Sequence, residues 1–402
     1  MKPKYFLEKL QKFPHRGFAS ENEKKAAKLI YKEYQKMGLK PKIQKFKVTK
    51  NSWLIHAAIF FILAVSIIFL FVGNIPIAII FLLIGLTLYL EFPYDPSLIY
   101  KNIYPATSQN IYVEVDSQHP ARKTVVVLGH YDTAKRTLGI LLMAKIFAKR
   151  KVDLVNAIDK KLPNFFRSPY LFLNLSIMLS LLIPFLTSSP TLKIILGCFV
   201  IYNMMAPCLL AIHAALSPFV PGALDNGSGA ATVMSLASYF KTNRPKATRL
   251  IFLNTGNEEN MPNGVVEFAK DRNLDKQNTY FINLDGIGCE QLVATYGETM
   301  YWGISRFYDK NLFKIVKNLI KKEKKFNMIK ESYLGLGTDA GRLVQERYRV
   351  MVTLMSLSKE GHGYPFHYHQ MDDTIDKINF DTMDLCKEFV IALINTIDKQ
   401  KK

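Results

Sequence analysis

The chain has 402 residues and is strongly basic, with 53 Lys and Arg against 33 Asp and Glu. This length allows two or three domains, or one large domain with insertions. The positive charge suits an anionic lipid surface or an acidic ligand, but no nucleic-acid-binding motif accompanies it, and we expect no nucleic-acid partner. No cysteine belongs to a Cys-x-x-Cys pair, which argues against a cysteine zinc site.

The first fifty residues are polar and contain no apolar core of the signal-peptide type. Ser20-Glu-Asn-Glu23 is a capping box, and apolar residues then recur at helical spacing until Gly38. This pattern predicts a soluble amphipathic helix. The apolar positions that follow Pro41, within 43–48, predict a strand.

Apolar segments interrupt the polar sequence at four places, residues 53–72, 75–90, 170–186 and 192–216. The first has twenty uncharged residues, enough to cross a hydrocarbon layer of about 30 Å. Each pair is joined by a short polar turn, so we predict two transmembrane hairpins, 53–90 and 170–216, and four transmembrane helices in all.

A hairpin returns the chain to the side from which it came, so the segments 1–50, 92–165 and 217–402 are predicted to share one side of the bilayer and to form one domain. Basic residues flank the hairpins on that side, whereas Lys193, at the start of the fourth apolar segment, is the only basic residue near the two short turns. The positive-inside rule then makes that side cytoplasmic. The prediction is a multi-pass cell-membrane protein, in contact with lipid, with both termini in the cytoplasm.

The polar segments alternate between strand and helix patterns. Strands are predicted at 111–115, 124–129, 249–254, 280–285 and 350–355, and helices near 228–240, 263–273, 310–325 and 381–398. Such alternation predicts an α/β fold with helices on both faces of a largely parallel or mixed sheet.

His130 follows a continuous apolar run, Thr124 to Gly129, that is typical of a strand buried on both faces. Ligands collect at the carboxyl ends of such strands in parallel sheets. Asp132 lies two residues further on and is placed to accept the second N–H of the imidazole, which would fix the tautomer of a metal-binding histidine. An ordinary hydrogen-bonded turn gives the same short pattern, so this motif alone decides nothing.

Four further motifs follow a strand or begin a helix: Asp225 in the Gly-rich loop 222–229, the pair Glu258-Glu259, Asp285, and His369 in Tyr368-His-Gln-Met-Asp-Asp-Thr374. The Gly-rich loop lacks the lysine that a phosphate-binding Walker loop requires. One metal would take His130 and Asp285, a second would take Glu259 and His369, and Asp225 would bridge the two. Mixed nitrogen and oxygen ligands suit Zn²⁺, and we predict two zinc ions per chain with Glu258 as the catalytic base.

These motifs, in this order, resemble those of the co-catalytic zinc aminopeptidases, the metallopeptidase group that includes bacterial leucyl and Streptomyces-type aminopeptidases and relatives of glutamate carboxypeptidase. The patterns concerned are His-x-Asp, Asp-Asn-x-Ser-Gly, Glu-Glu, a strand-terminal Asp and Tyr-His-x-x-x-Asp-Thr. The lead-in Phe13-Pro-His-Arg16 is similar as well. The resemblance covers almost all of the polar sequence.

The resemblance implies a zinc-exopeptidase α/β/α sandwich and an aminopeptidase that hydrolyses peptides with a metal-bridging water. It also implies that Tyr368 donates a hydrogen bond to the tetrahedral oxyanion, although simple packing is an alternative. Two departures affect substrate contacts. Asn260-Met-Pro-Asn-Gly264 replaces the usual Gly-Leu-x-Gly-Ser after the glutamate pair, and Ala340 stands where relatives often have histidine.

Other interpretations remain open. His362 and His367 are near His369 and could replace it as a ligand. The chain could be an inactive binding protein on a peptidase fold, because a fold does not establish an activity, but all the ligands and Glu258 are present. A carboxypeptidase, an N-acyl amino acid deacylase or a glutaminyl cyclase could use a similar metal site. The substrate preference and the oligomeric state are not predicted.

Overall fold

The computed structural model describes residues 1–94, 99–138, 189–300, 304–334, 337–348, 350–358 and 367–400. The predicted apolar segment 170–186 and the alternative ligand His362 lie outside these residues. All statements below concern the described parts of the chain.

One mixed sheet forms the centre of the polar part of the chain. Its strands are β1 (Lys42–Thr49), β2 (Pro105–Val115), β3 (Lys123–His130), β4 (Thr248–Thr255), β5 (Thr279–Leu284), β6 (Gln291–Met300), β7 (Ile304–Phe307), β8 (Lys330–Leu334) and β9 (Met351–Leu357). The order is β1-β2-β4-β3-β5-β9-β6-β7, with β8 paired to β6. Strands β4, β3, β5 and β9 are parallel, so their carboxyl ends meet at one edge.

Helices of the polar part cover both faces of this sheet. They are α1 (Pro3–Leu10), α2 (Glu21–Lys36), α6 (Gly229–Phe240), α7 (Asn263–Arg272), α8 (Lys310–Lys322), α9 (Asp339–Gln345) and α10 (Phe380–Lys399). Successive residues of β3 face opposite sides: Val127 belongs to the core cluster that includes α1, α2, α6, α8 and α10, whereas Leu128 belongs to the cluster that includes α7 and α9. The mixed α/β sandwich is therefore confirmed.

Several elements were not predicted. Strands β6, β7 and β8 and helices α1 and α9 have no counterpart among the sequence predictions. Strand β6 buries polar side chains such as Thr295 and Glu298, which disturbs the apolar alternation by which strands are recognised. The strands and helices predicted in the polar segments are all present, with ends shifted by a few residues.

Three apolar helices form a separate cluster: α3 (Ser52–Phe71), α4 (Ile75–Tyr94) and α5 (Pro190–Leu216). By length and composition, α3 and α5 could cross a membrane, whereas the apolar part of α4, Ile75–Leu90, is shorter. Two of the four predicted transmembrane helices thus meet this criterion. About 28% of the most apolar stretch of α5 and 44% of that of α3 is buried against described residues.

Helices α3 and α5 pack side by side and run in opposite directions. Asn51, just before α3, donates a hydrogen bond to the carbonyl of Ala215 near the end of α5. At the other end, Gly197 lies so close to the ring of Phe71 that a Cβ atom would overlap it. The amino end of α3 and the carboxyl end of α5 are therefore neighbours, and both adjoin the sheet domain.

Candidate metal centre

Two of the predicted ligands lie at the ends of neighbouring parallel strands. His130 is the last residue of β3, and Asp285 directly follows β5. His130 Nε2 is 3.6 Å from Asp285 Oδ1. Both side chains are almost fully buried. The sheet therefore brings together two residues that are 155 positions apart in the sequence.

Asp225 lies in the loop that leads into α6, where the backbone of Asp225 and Asn226 is not helical. The carboxylate of Asp373 accepts the backbone N–H groups of Leu224 at 2.7 Å and of Asp225 at 3.1 Å. Gly222 has a φ of +64°, and a Cβ atom there would overlap the side chain of Thr133. The left-handed turn at Gly222 and the two hydrogen bonds to Asp373 together fix the conformation of this loop.

Glu258 and Glu259 lie in the loop after β4. The two oxygens of the Asp132 carboxylate accept their backbone N–H groups, each at 3.1 Å. In contrast, Asp132 Oδ1 is 3.6 Å from His130 Nδ1, longer than a normal hydrogen bond. Asp132 thus holds the glutamate loop in place, a contact that its position beside His130 did not predict.

His369 lies in a turn and has a positive φ of 57°. Its backbone carbonyl accepts the N–H of Thr137 at 3.3 Å, so the chain that leaves His130 also fixes His369. The ring of Tyr368 stacks on the imidazole, with centroids 4.0 Å apart. The alternative ligand His367 instead contacts Asp372, with 2.8 Å between Nδ1 and Oδ2.

The predicted ligands form two groups that share Asp225. One contains His130, Asp225 and Asp285, and the other contains Asp225, Glu259 and His369; within each group the ligand atoms are no more than 4.8 Å apart. The Asp225 carboxylate faces both sides, since Oδ1 is 3.3 Å from His130 Nε2 and Oδ2 is 3.0 Å from His369 Nε2. A third group, His130, Glu258 and Glu259, meets the same distance limit, so the structure brings all five predicted ligands together, and the assignment of each ligand to one ion stays a prediction.

Burial and mutual repulsion shift the pKa values of these carboxyl groups. Burial, followed by the charge of Asp225, raises the pKa of Glu259 to about 8. Burial also raises the pKa of Glu258 well above its usual value, although His130 opposes the change. Burial thus makes the ionised forms of these two glutamates costly. A bound divalent cation would stabilise the ionised carboxylates.

Unpaired polar atoms point to the same conclusion. Asp225 Oδ2, Glu259 Oε1 and His369 Nε2 are buried and have no partner in hydrogen-bond geometry among the described residues, although Asp225 Oδ2 and His369 Nε2 are only 3.0 Å apart. Buried polar atoms are rarely left unpaired in folded proteins. Carboxylate oxygens and imidazole nitrogens are common zinc ligands, so the residues present fit such a metal.

Arg16, in the lead-in motif, is fully buried beneath the centre. Its guanidinium donates to the carbonyls of Tyr131, Pro221 and Gly222 at 2.6 to 3.0 Å. These carbonyls belong to the two segments that carry His130 and Asp225. The sequence motif predicted a family lead-in but gave no role to this arginine, which joins both ligand segments to the amino-terminal part of the chain.

Asn260, directly after Glu259, connects the centre to the apolar helices. The N–H of Ser52, the first residue of α3, donates to Asn260 Oδ1, and the Ser52 hydroxyl donates to the Asn260 carbonyl, both at 2.7 Å. Asn260 Nδ2 in turn donates to the carbonyls of Thr49 and of the Asn257 side chain. The sequence showed this loop to be unusual but did not predict its contact with α3.

Comparisons with solved structures define the class to which this fold belongs. A glutaminyl cyclase from an Acidobacteriales bacterium superimposes with a TM-score of 0.57, at 11% identity, over 99% of this chain and 94% of that one. A zinc aminopeptidase from Bacillus subtilis gives 0.54 at 13% identity over 100% and 97%. The chain therefore has the mixed-sheet α/β fold that zinc aminopeptidases and glutaminyl cyclases share.

Comparison of the sequence with models of protein families gives one match. Residues 209–394 match the model of peptidase family M28, a stretch that contains Asp225, the glutamate pair, Asp285 and His369. Nearly half of the chain is thus similar to peptidase family M28, and the resemblance inferred from its motifs is confirmed.

Curated relatives match a shorter stretch. The vacuolar membrane protease of Schizosaccharomyces pombe is 39% identical over 82 residues, which is 20% of this chain and 10% of that protein. That of Pyrenophora tritici-repentis is 36% identical over 94 residues, 23% of this chain and 10% of that protein. The matched stretch is thus about a tenth of the length of these relatives.

Proposed function

We propose that this protein is a membrane-bound, zinc-dependent aminopeptidase that removes amino-terminal residues from peptides. The observation that carries the proposal is the pair of ligand groups that share Asp225, with unpaired buried ligand atoms in the group of Glu259 and His369. The M28 match supports a metallopeptidase, and names such as zinc aminopeptidase among the structural neighbours favour zinc. His130, Asp225 and Asp285 would hold one ion, and Asp225, Glu259 and His369 the other.

Bound zinc would polarise the scissile carbonyl and lower the pKa of a bound water. In this mechanism Glu258 would transfer the proton of the attacking water. Its Oε2 lies 3.9 Å from His130 Nε2, beside the ligands, and its side chain is more exposed than that of Glu259 (13% against 4%). Since Glu259 serves as the ligand, Glu258 is left to accept the proton of the attacking water and to pass it to the leaving amine.

Tyr368 is proposed as the hydrogen-bond donor to the developing oxyanion. Its ring is fixed against His369, beside the proposed second metal. Burial, with a contribution from the surrounding carboxylates, raises the pKa of its hydroxyl well above the usual value, so the group keeps its proton at neutral pH. A lost donor of this kind costs about 10²–10³ in rate.

Membrane attachment is proposed from α3 and α5, whose length and apolar composition suffice to cross a bilayer. The vacuolar membrane proteases among the relatives agree with this assignment. Both termini and the sheet domain would lie on the cytoplasmic side, as the flanking basic residues predict. A cysteine placed at Gly73 should react with an impermeant reagent in intact cells, and one placed at Lys399 should not. Labelling at Lys399 would overturn this orientation.

Metal analysis combined with a substrate panel tests the proposed activity. The purified protein should contain two zinc ions per chain and release amino acids from peptides with a free amino terminus, but not from the same peptides with an acetylated one. Cleavage of acetylated peptides would indicate a carboxypeptidase or a deacylase. Cyclisation of amino-terminal glutamine without hydrolysis would indicate a glutaminyl cyclase, whose fold the chain shares. No turnover of any substrate by the zinc-loaded protein would favour the inactive binding protein.

A further inference from the structure

We propose that the natural substrates are peptides anchored in the bilayer, which the enzyme trims to within a few residues of the membrane surface. This inference rests on the proposed aminopeptidase function and adds the class of substrate. Its basis is the short distance between the metal centre and the ends of the two long apolar helices.

The length of α3 fixes the position of its first residue. Its 20 residues form a helix about 30 Å long, which equals the thickness of the hydrocarbon layer. A helix of this length can cross the layer only if nearly all of it lies inside. Ser52 must therefore lie close to the boundary between hydrocarbon and headgroups.

Asn260 places Glu259 next to that boundary. The two hydrogen bonds between Ser52 and Asn260 join α3 directly to the residue that follows Glu259. With about 3.8 Å between adjacent Cα atoms, the Glu259 backbone lies within about 12 Å of Ser52. The headgroup region alone is about 5–8 Å thick on each side. The proposed metal site is therefore at the membrane surface and not at the far side of the domain.

Helix α5 supports the same placement through different contacts. Asp225 follows the last residue of α5 by only nine positions. Lys135, five residues after His130, donates from Nζ to the carbonyls of Ala215 and Ser217 at the end of the helix. Ligand segments from β3 and from the Asp225 loop thus both contact the carboxyl end of α5.

The glutamate loop departs from the related aminopeptidases at the residues that make these contacts. In the family pattern Gly-Leu follows the glutamate pair, whereas this chain has Asn260-Met261. Met261 is 1% exposed and packs in the cluster formed by α3 and α5. The residues that distinguish this loop therefore attach it to the apolar helices. A free peptide in solution would not require a site so close to the bilayer, whereas an anchored peptide would.

Progressive trimming offers a direct measurement of this distance. The full-length, zinc-loaded chain is placed in phosphatidylcholine nanodiscs, which leave both membrane faces accessible and carry no net lipid charge. The substrate is a peptide of about twenty residues, with a reach of about 65 Å when extended, that carries a dialkyl lipid at its carboxyl end. The same peptide without the lipid is the control, and Glu258→Gln gives the background. Mass spectrometry reports how many residues remain next to the lipid.

We expect trimming to stop with about three to six residues left, since an extended chain advances about 3.3 Å per residue. The anchored peptide should also be trimmed at least tenfold faster than the free one at equal bulk concentration. A remnant longer than about eight residues, or equal rates for the two peptides, would overturn the inference while leaving the aminopeptidase activity in place. If neither peptide is trimmed, the proposed function itself fails.

Discussion

The two halves of the candidate centre are held in different ways. His130 and Asp285 are placed by neighbouring parallel strands whose two faces are both buried in the core. Glu259 and His369 lie on loops, and their positions depend on hydrogen bonds from distant segments. One of those loops also reaches the start of α3 through Asn260.

This difference suggests that the halves respond differently to perturbation. Strand ends within a packed sheet move only when the core itself is disturbed. Loops that depend on a few hydrogen bonds open at a lower free energy than the core. We therefore expect the half with Glu259 and His369 to lose its metal first when the membrane environment is disturbed, and the half with His130 and Asp285 to retain it.

The largest effect is expected from a residue that belongs to neither ligand pair. Glu258→Gln keeps the shape of the side chain but removes the base, so turnover should fall about 10²–10⁴-fold while both zinc ions and inhibitor binding are retained. Steady-state kinetics with metal analysis measures this, and the exposed Glu8→Gln on α1 is the matched control. Near-normal peptide hydrolysis by Glu258→Gln would disprove the assignment of the base.

Removing ligands should separate the two halves. His369→Ala and His130→Ala should each retain one zinc ion per chain, whereas Asp225→Ala, which removes the shared carboxylate, should retain neither. Atomic-absorption analysis of the purified variants gives the stoichiometry. Two zinc ions in His369→Ala would exclude this histidine from the site, and one zinc ion in Asp225→Ala would show that Asp225 does not bridge.

A smaller effect is expected from Asp132→Asn. The amide can accept only one of the two N–H groups of Glu258 and Glu259 that the carboxylate now accepts. Loss of a residue that orients a ligand typically reduces metal affinity about 10–100-fold. Competition with a chelator should show this loss for the ion held by Glu259 and His369. An equal loss for the other ion would mean that Asp132 acts mainly through His130.

The smallest effect concerns the contact with the membrane helices. Asn260→Ala removes three side-chain hydrogen bonds in a buried position and should cost about 2–3 kcal/mol. Asn51→Ala removes one hydrogen bond at the same junction, away from Glu259, and is the matched control at about 1 kcal/mol. Thermal unfolding and chelator resistance in detergent are the measurements. Equal chelator resistance of the two variants would show that the junction does not support the metal site.

The sequence predicted the parts of the centre that depend on local patterns. His130, Asp285 and the glutamate pair follow apolar strands, and the structure brings them together where parallel strands end. The long-range contacts were not predictable. Nothing near Asn260 indicates a partner 208 positions away, and the role of Asp132 depends on how the loop after β4 folds back over β3. Strands with buried polar residues, such as β6, were not predicted either. The alternating pattern used to recognise strands assumes that buried positions are apolar, and buried polar residues such as Glu298 break it.

The pairing of β1 with β2 has a consequence for protein engineering. Thr49 lies opposite Pro105, and the N–H of Lys50 donates to the carbonyl of Tyr104 at 2.8 Å, so the ladder continues to the point where the chain departs for α3. Strands β1 and β2 therefore pair as a β-hairpin, and residues 51–103 are the connection between them. A two-residue Asn-Gly turn could replace it without changing the register of either strand. Such a shortened chain would lose α3 and α4 but keep α5, and a water-soluble derivative would require the removal of that helix as well.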